Sequence, residues 1–267
     1  MIRQLPTHLV HKVWGRADPP APFSNPDSEP LGEIWFDPPP ELDTLLVKFI
    51  FTDAALSVQV HPDDARAPAG HRGKNECWYI LDAKPGATIA VGLKREMSVD
   101  RLRAAALDGS IEDCLNLIEV AAGDFVSIPA GTIHAIGPGI SLLEVQQNSD
   151  ITYRLYDYGR PRELHLEDAL RVVNREPFDT ALHHRAPGRG YAELIDGPFF
   201  RVAKLAGGGS LPRDGFAEQF LLLPLAEGVT LSGHPLTVGT CTLAKGTADL
   251  ELAQGASVIL VEDTARH

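Results

Sequence analysis

The sequence is poor in cysteine and has no long apolar run. Its three cysteines, Cys77, Cys114 and Cys241, are widely spaced and form no C-x-x-C pair. This spacing argues against a zinc knuckle or a redox motif and favours a reducing cytoplasm. No apolar segment reaches the length of a membrane span, and the first residues do not resemble a secretory leader. We therefore expect neither a membrane partner nor secretion.

Positive charge is also scarce. Lys and Arg together number 24 against 36 Asp and Glu, which gives a formal net charge of -12. Such a surface repels phosphate backbones and anionic lipids, so we expect no nucleic-acid partner. A small anionic substrate would need cations concentrated in one place. The hydrophobic content of 44% is that of an ordinary globular protein.

Short apolar runs dominate the chain from Leu45 onward. They are rich in Val, Ile, Leu and Phe, and Asp, Pro and Gly separate them. This pattern predicts an all-β protein of short antiparallel strands, arranged as barrels or sandwiches. A Pro- and Gly-containing stretch divides two β-rich parts. We predict a catalytic domain over 1–170, a connector over 171–190 and a smaller β-domain over 191–267.

A few short helices are expected within this β framework. The segment SVDRLRAAALDG predicts a helix that Ser98 caps and Gly109 ends. A second short helix is predicted from Ile111 to Leu117, with Ser110 as its cap. A third is predicted from Leu166 to Asn174.

Metal-ligating side chains occur at two places in the first half. In SVQVHPDD, alternation along a strand puts Ser57, Gln59 and His61 on one face, so that Gln59 and His61 can reach one ion. Glu76 opens the aromatic strand ECWYILDA and offers a carboxylate. Cys77 should point the opposite way and is not expected to be a ligand.

The string GDFVSIPAGTIHAI carries the strongest signal in the chain. Its spacing of Gly123, Pro129, Gly131 and His134 predicts a strand, a tight turn and a returning strand that begins with an imidazole. Together, Gln59, His61, Glu76 and His134 form a mixed nitrogen and oxygen set that suits a divalent cation.

These motifs resemble the two conserved motifs of the cupin superfamily. The fuller set of KVWG, LGEIW, SVQVHPDD, GKNECWYIL and PAGTIHAIGPGISLLEVQQNSDITYRLYDYGR resembles the type I mannose-6-phosphate isomerases, over roughly Lys12 to Asp168. Only short helices separate the metal motifs, as in the compact bacterial subclass. The resemblance implies two cupin-like jelly-roll domains, one Zn²⁺ ion per chain, and interconversion of D-mannose 6-phosphate and D-fructose 6-phosphate through an enediol.

The resemblance also implies roles for five further residues. Ser57 and Lys48 match positions that contact the phosphate, and Lys74 matches a lysine that contacts substrate. Arg154 lies in an otherwise apolar and aromatic strand, where an unpaired guanidinium would be costly, so it needs an anionic partner. An ion pair with Asp157 or Glu144 would satisfy it, whereas the family pattern implies stabilisation of the transition state. By the same pattern, Glu144 is a candidate for proton transfer.

Several alternatives stay open at the level of sequence. Glu144, Lys74 and a metal-bound hydroxide are all candidates for the base. An iron-dependent cupin oxygenase would use the same scaffold and ligands. A sugar-phosphate-binding protein without turnover would keep the pocket but not the reaction. The sequence does not determine the oligomeric state.

Overall fold

Strands are the main regular secondary structure of the described residues, as the all-β prediction required. The computed structural model describes residues 2–208, 211, 218–245 and 250–265. The earlier strands are β1 (Ile2–Gln4), β2 (Thr7–Arg16), β3 (Leu31–Phe36), β4 (Leu45–Phe51), β5 (Val58–Val60), β6 (Glu76–Ala83), β7 (Thr88–Leu93), β8 (Leu115–Glu119), β9 (Asp124–Ile128), β10 (His134–Ile136), β11 (Ile140–Gln147) and β12 (Tyr153–Tyr156). The later strands are β13 (His183–Arg185), β14 (Gly190–Asp196), β15 (Phe200–Ala206), β16 (Gln219–Pro224), β17 (Val229–Leu231), β18 (His234–Pro235), β19 (Thr242–Lys245), β20 (Leu250–Leu252) and β21 (Ser257–Asp263).

The α-helices of the described residues are α1 (Val99–Asp108), α2 (Ile111–Cys114) and α3 (Leu166–Val172), and single 3₁₀ turns span Pro40–Leu42 and Thr180–Leu182. No described helix has the length and apolar character that crossing a bilayer requires.

The caps of α1 are those predicted, whereas α2 and α3 are shorter than expected. Ser98 Oγ accepts a hydrogen bond from the Arg101 N–H, and Gly109 ends α1 in the left-handed region at φ 85°. In α2 the Ser110 side chain makes no capping bond, and the helix stops at Cys114 because the chain turns extended and enters β8. The predicted helical end at Leu117 is therefore wrong.

Two large sheets pack face to face and form what we call the first sandwich. The seven-stranded sheet has the order β13-β9-β6-β11-β4-β3-β2, and the five-stranded sheet has the order β12-β5-β10-β7-β8. Their facing sides bury one apolar cluster, which includes Ile50, Trp78, Ile89 and Ile136. Since strand residues alternate between faces, the neighbours of these residues point outward into other layers.

The outward faces of the first sandwich are also covered. Helices α1 and α3 pack on the five-stranded sheet through a cluster that includes Val60, Leu102 and Leu170. A six-stranded sheet, β1-β19-β16-β21-β15-β14, packs on the seven-stranded sheet. Its other face meets the three-stranded sheet β18-β17-β20, and we call this pair the second sandwich.

The first strand of the chain belongs to the second sandwich. Residues of β1 pair antiparallel with β19, from Ile2 opposite Ala244 to Gln4 opposite Thr242. Strand β13, inside the predicted connector, pairs with β9 at the edge of the seven-stranded sheet. The domain division proposed from the sequence stays a prediction, and these pairings join its two parts.

Candidate metal centre and active site

The inner faces of the first sandwich bring the predicted metal ligands together. His134, at the start of β10, lies directly opposite Gln59 of β5, and Arg154 of β12 lies opposite Gln59 on the other side. Opposed residues of antiparallel strands share a face. Glu76 begins β6 in the facing sheet. The turn before His134 follows the predicted pattern, with Gly131 at φ 87°, where an added Cβ would meet the Val172 carbonyl oxygen at 2.9 Å.

The potential ligand atoms of His61, Glu76 and His134 converge, all lying within 4.8 Å of one another. His61 Nε2 is 3.4 Å from Glu76 Oε2, and His134 Nε2 is 3.3 Å from Glu76 Oε1. Bonds of about 2.1 Å in a tetrahedral arrangement put ligand atoms about 3.4 Å apart. Gln59 Nε2 lies 3.2 Å from His134 Nε2, so the amide of Gln59 borders the same point.

Backbone carbonyl groups orient both imidazole rings. His61 Nδ1 lies 2.7 Å from the Ile151 oxygen, and His134 Nδ1 lies 2.9 Å from the Thr132 oxygen. Each Nδ1 therefore carries the proton, which leaves the Nε2 of each ring unprotonated on the side that faces Glu76. Burial lowers the pKa of His134, and burial together with the nearby Lys74 ammonium lowers the pKa of His61 well below its usual value. Both rings are neutral at pH 7, as metal binding requires.

Glu76 is 1% exposed, and neither of its oxygens has a hydrogen-bonding partner of suitable geometry in the described part of the chain. Lys74 Nζ approaches from one side, 2.9 Å from Glu76 Oε2 and 3.1 Å from His61 Nε2. A buried carboxylate without hydrogen bonds is costly. Glu76 therefore needs a cation, and Lys74 contacts only one of its oxygens within ion-pair distance.

Lys48 and Glu144 form a second buried pair above the ligands. They lie opposite each other on β4 and β11, with Lys48 Nζ 2.9 Å from Glu144 Oε1, and Trp78 Nε1 donates to Glu144 Oε2 at 3.0 Å. Burial opposes the charge of Glu144, but Lys48 and Lys74 outweigh it and lower the pKa of this carboxyl. Burial likewise opposes the charge of Lys48, and the nearby carboxylates of Glu144 and Glu33 together outweigh it and raise the pKa of that ammonium. Both groups are ionised at neutral pH.

Carboxylates outnumber ammonium groups among the buried residues of this region, with Lys48 and Lys74 facing Glu33, Glu76 and Glu144. Lys12, which is partly exposed, lies 3.9 Å from Glu33 and offsets part of this difference. A divalent cation between the two histidines would pair with the Glu76 oxygen that Lys74 does not reach.

Glu33 is a site residue that the sequence analysis missed. Its Oε1 lies 3.7 Å from Lys48 Nζ, and Trp35 Nε1 donates to its Oε2 at 2.8 Å. The sequence did contain a pattern that could have identified it, because Glu33 is a carboxylate inside the otherwise apolar strand LGEIWF. The cost of burying such a charge, which drew attention to Arg154, applies equally to Glu33.

A cavity of about 330 Å³ opens over the metal ligands. It has the volume of a small-molecule site. The predicted site residues that line it are Lys48, Ser57, Gln59, Lys74, Glu144 and Arg154. The hydroxyl of Ser57 donates to Gln59 Oε1 at 3.3 Å. His61, Glu76 and His134 are buried beneath the cavity, in contact with Lys74 and Gln59.

Arg154 has no carboxylate partner among the described residues. Its Nη1 donates to the Glu163 carbonyl oxygen at 2.6 Å, and its Nε has no partner. Asp157 pairs instead with Arg160 and Arg162, and Glu144 pairs with lysines. The alternative interpretation of Arg154, an ion pair with Asp157 or Glu144, is therefore not observed in the described part of the chain, and Arg154 lines the cavity.

The chain resembles isomerases over most of its length. It is 39% identical over 198 residues to a mannose-6-phosphate isomerase of Bacillus subtilis, which is 69% of this chain and 62% of that protein. It is 40% identical over 192 residues to a mannose-6-phosphate isomerase of Streptococcus mutans, which is 68% of this chain and 60% of that protein. The chain belongs to the type I mannose-6-phosphate isomerase family of cupins. No family model matches it.

Solved structures agree with this family assignment. A mannose 6-phosphate isomerase from Bacillus subtilis superposes with a TM-score of 0.79 at 25% identity, over 97% of this chain and 98% of that chain. A phosphomannose isomerase from Salmonella typhimurium, at 14% identity and a TM-score of 0.78, shows the shared fold alone. The sequence matches span about three fifths of the curated family members.

Proposed function

We propose that this chain is a metal-dependent aldose–ketose isomerase that interconverts D-mannose 6-phosphate and D-fructose 6-phosphate. The observation that carries this proposal is the cluster of His61, Glu76 and His134 directly beneath a cavity lined by Lys74 and Glu144. Relatives named mannose-6-phosphate isomerase support the choice of substrate.

His61, Glu76 and His134 would hold the ion, and Gln59 would be a fourth ligand with its amide turned so that the oxygen takes the place of Nε2 beside His134. The buried Glu76 oxygens, which have no hydrogen-bonding partner among the described residues, and the unprotonated Nε2 atoms of both histidines fit a divalent cation. We infer Zn²⁺, which imidazole and carboxylate ligands suit and which the family resemblance implies. When bound, the cation would polarise the sugar oxygens and stabilise the negative charge of an enediolate.

Proton transfer between C1 and C2 requires a base beside the cavity. We assign this role to Glu144, because Lys48 and Lys74 keep its carboxylate ionised at neutral pH and it lines the cavity. A general base must be ionised and within reach of the proton it removes. Lys74, which also lines the cavity, is assigned to the second proton, the one that moves between the two sugar oxygens.

The remaining three residues would bind and orient the substrate. Arg154 offers a charge with no carboxylate partner, and we assign it to the negative charge that develops in the transition state. Ser57 and Lys48 are assigned to the substrate phosphate. Lys48 already pairs with Glu144, so its contact with the phosphate would add to an existing ion pair.

A coupled assay tests the activity. Purified chain loaded with Zn²⁺ is given D-mannose 6-phosphate, and fructose 6-phosphate is measured through an added phosphoglucose isomerase and a dehydrogenase. We expect turnover that a chelator abolishes and Zn²⁺ restores. Metal-loaded, folded protein that forms no fructose 6-phosphate, beside an active family member, would exclude the proposal.

The base assignment has its own test, which measures hydrogen exchange at C2 in deuterated water. Glu144→Gln should abolish exchange, since an amide cannot accept the carbon-bound proton. Lys74→Met should retain measurable exchange while slowing net isomerisation. Exchange that persists in the Glu144→Gln variant and vanishes in the Lys74→Met variant would reverse the two roles.

The two alternatives raised by the sequence are not favoured. The relatives and the crystal structure described above are named as isomerases, and none as an oxygenase or a sugar sensor. We further propose that the protein acts in a reducing cytoplasm. Its three free cysteines, of which Cys77 and Cys241 are buried, support that setting.

A further inference from the structure

A second cavity lies on the opposite side of the seven-stranded sheet from the metal centre. Its volume is about 440 Å³, and it lies between this sheet and the six-stranded sheet with an opening to solvent. Apolar side chains form much of its wall, including Phe23, Phe49, Leu225 and Val238. A cavity of this size and character suits a small organic molecule.

One wall of this cavity carries a buried lysine. Lys204 is in β15, where alternation puts it on the same face as Phe200 and Val202, which belong to the apolar core between the two sheets. Lys204 is 8% exposed and lines the cavity. An ammonium group therefore occupies a strand position at which the alternating pattern predicts an apolar side chain.

The partner of Lys204 in the described part of the chain is the ring of Tyr79, whose centroid lies 5.4 Å from Nζ. No ion pair or hydrogen bond joins Lys204 to another described residue. A cation over an aromatic ring is only weakly stabilised, so the ammonium can still take an anionic partner. Tyr79 lines the cavity as well, so the charged end of Lys204 is at the cavity wall.

The other charged groups around the cavity do not neutralise Lys204. Arg185 is at the rim, and its guanidinium pairs with Asp124 at 3.2 Å and donates to the Ala122 oxygen at 2.8 Å. Asp82 also lines the cavity but is exposed to solvent. Among the buried residues that line the cavity, Lys204 is therefore the one that carries a charge.

We propose that this cavity binds a small organic anion, with an aromatic or aliphatic body against the apolar wall and a carboxylate, sulfonate or phosphate against Lys204. The site is separate from the metal centre. Adjacent residues of one strand face the two sites, since Lys48 points to the metal centre and Phe49 to the cavity, and likewise Trp78 and Tyr79.

The test uses the full chain, loaded with Zn²⁺, and anilinonaphthalene sulfonate as a fluorescent anionic probe. Lys204→Met removes the charge and keeps the length of the side chain, so we expect at least about tenfold weaker binding. The uncharged N-phenylnaphthylamine should bind both proteins within about twofold. Lys84→Met is the matched control, because Lys84 has a 63% exposed side chain outside the cavity and its loss changes net charge equally.

Two further measurements keep the proposal open to refutation. Val238 is half-buried at the cavity wall, so Val238→Trp should fill the cavity and weaken the binding of both probes. If the Lys204→Met variant does not fold, this variant tests whether the probes bind in the cavity. Saturating D-mannose 6-phosphate should leave probe binding unchanged. Equal binding of the anionic probe by the Lys204→Met and Lys84→Met variants, unchanged binding by the Val238→Trp variant, or displacement by the sugar phosphate would overturn the proposal.

Discussion

The first and second sandwiches share a layered plan but differ in what their sheets enclose. Among the described residues, the one group of His, Cys, Asp and Glu side chains able to hold a metal lies in the first sandwich. At the centre of the second, aliphatic side chains such as Leu205, Leu222 and Leu260 pack together. The layered architecture alone therefore does not produce a candidate metal site. The site depends on which strand positions that face inward carry polar residues.

These buried polar residues line the proposed active site of the first sandwich, and they reduce the stability that burial could give it. Burial of Lys48, Lys74, Glu76 and Glu144 forgoes the stabilisation that apolar side chains would supply there. The second sandwich keeps that stabilisation. We therefore expect changes in the first sandwich to affect metal content and turnover, and changes in the second to affect the free energy of unfolding.

The largest expected effect is that of His134→Ala. Loss of this ligand should release the ion and lower kcat/KM by about 10³-fold or more. Metal content by atomic absorption and the coupled assay measure the two results. His234→Ala, at an exposed position of β18, is the control in the second sandwich and should change neither. A fully active His134→Ala variant with normal metal content would break the comparison.

Arg154→Ala should have the next largest effect. Because Arg154 borders the cavity without touching the three ligands, the variant should keep its metal and lose about 10²-fold in kcat. Stopped assays at saturating substrate measure kcat, and metal analysis is run on the same preparation. Loss of the ion with normal turnover per bound ion would contradict the assigned role.

Leu222→Ala tests the second sandwich. Leu222 is fully buried between its two sheets, so the truncation should cost about 2–5 kcal/mol of unfolding free energy. Denaturant unfolding measures this cost, and metal content and kcat of the folded fraction should be unchanged. Leu107→Ala, at a 68% exposed position of α1, should change stability by less than about 0.5 kcal/mol. A large fall in metal content of the folded Leu222→Ala protein would show that the sandwiches are not independent in this sense.

Glu41→Gln should have the smallest effect. Hydrogen bonds from Lys245 and Arg3 hold the pKa of Glu41 at about 2, below its ordinary value of 4.5. A lowered folded-state pKa stabilises the fold above the ordinary value, and this stabilisation is lost as the pH falls from 4.5 towards 2. The unfolding midpoint of the Glu41→Gln variant should lie slightly below wild type at pH 7, and the difference should shrink below pH 4.5. A difference that grows in acid would contradict this sign.

Local patterns in the sequence account for the positions of the proposed metal ligands within their strands and turns. Alternation placed Gln59 beside His61, and the Gly and Pro spacing before His134 described the observed turn between β9 and β10. These features depend on residues that are close along the chain. The same holds for the capping of α1 by Ser98.

Pairings between distant strands could not be predicted in this way. The ion pair of Lys48 with Glu144 depends on the register of β4 against β11, which no local pattern specifies. The register of β3 against β4 likewise brings Glu33 next to Lys48. The sequence also suggested a carboxylate partner for Arg154, and the structure shows that Asp157 is taken by two other arginines.

The pairing of β1 with β19 couples the unfolding of the two sandwiches. The first residues of the chain complete a sheet whose other strands follow residue 189, and Leu5 continues the contact through its N–H bond to the Cys241 oxygen at 2.8 Å. The two sandwiches cannot separate unless the pairing of β1 with β19 and the shared core between the seven- and six-stranded sheets are both broken. A single cooperative melting transition is the behaviour that such interlocking dictates.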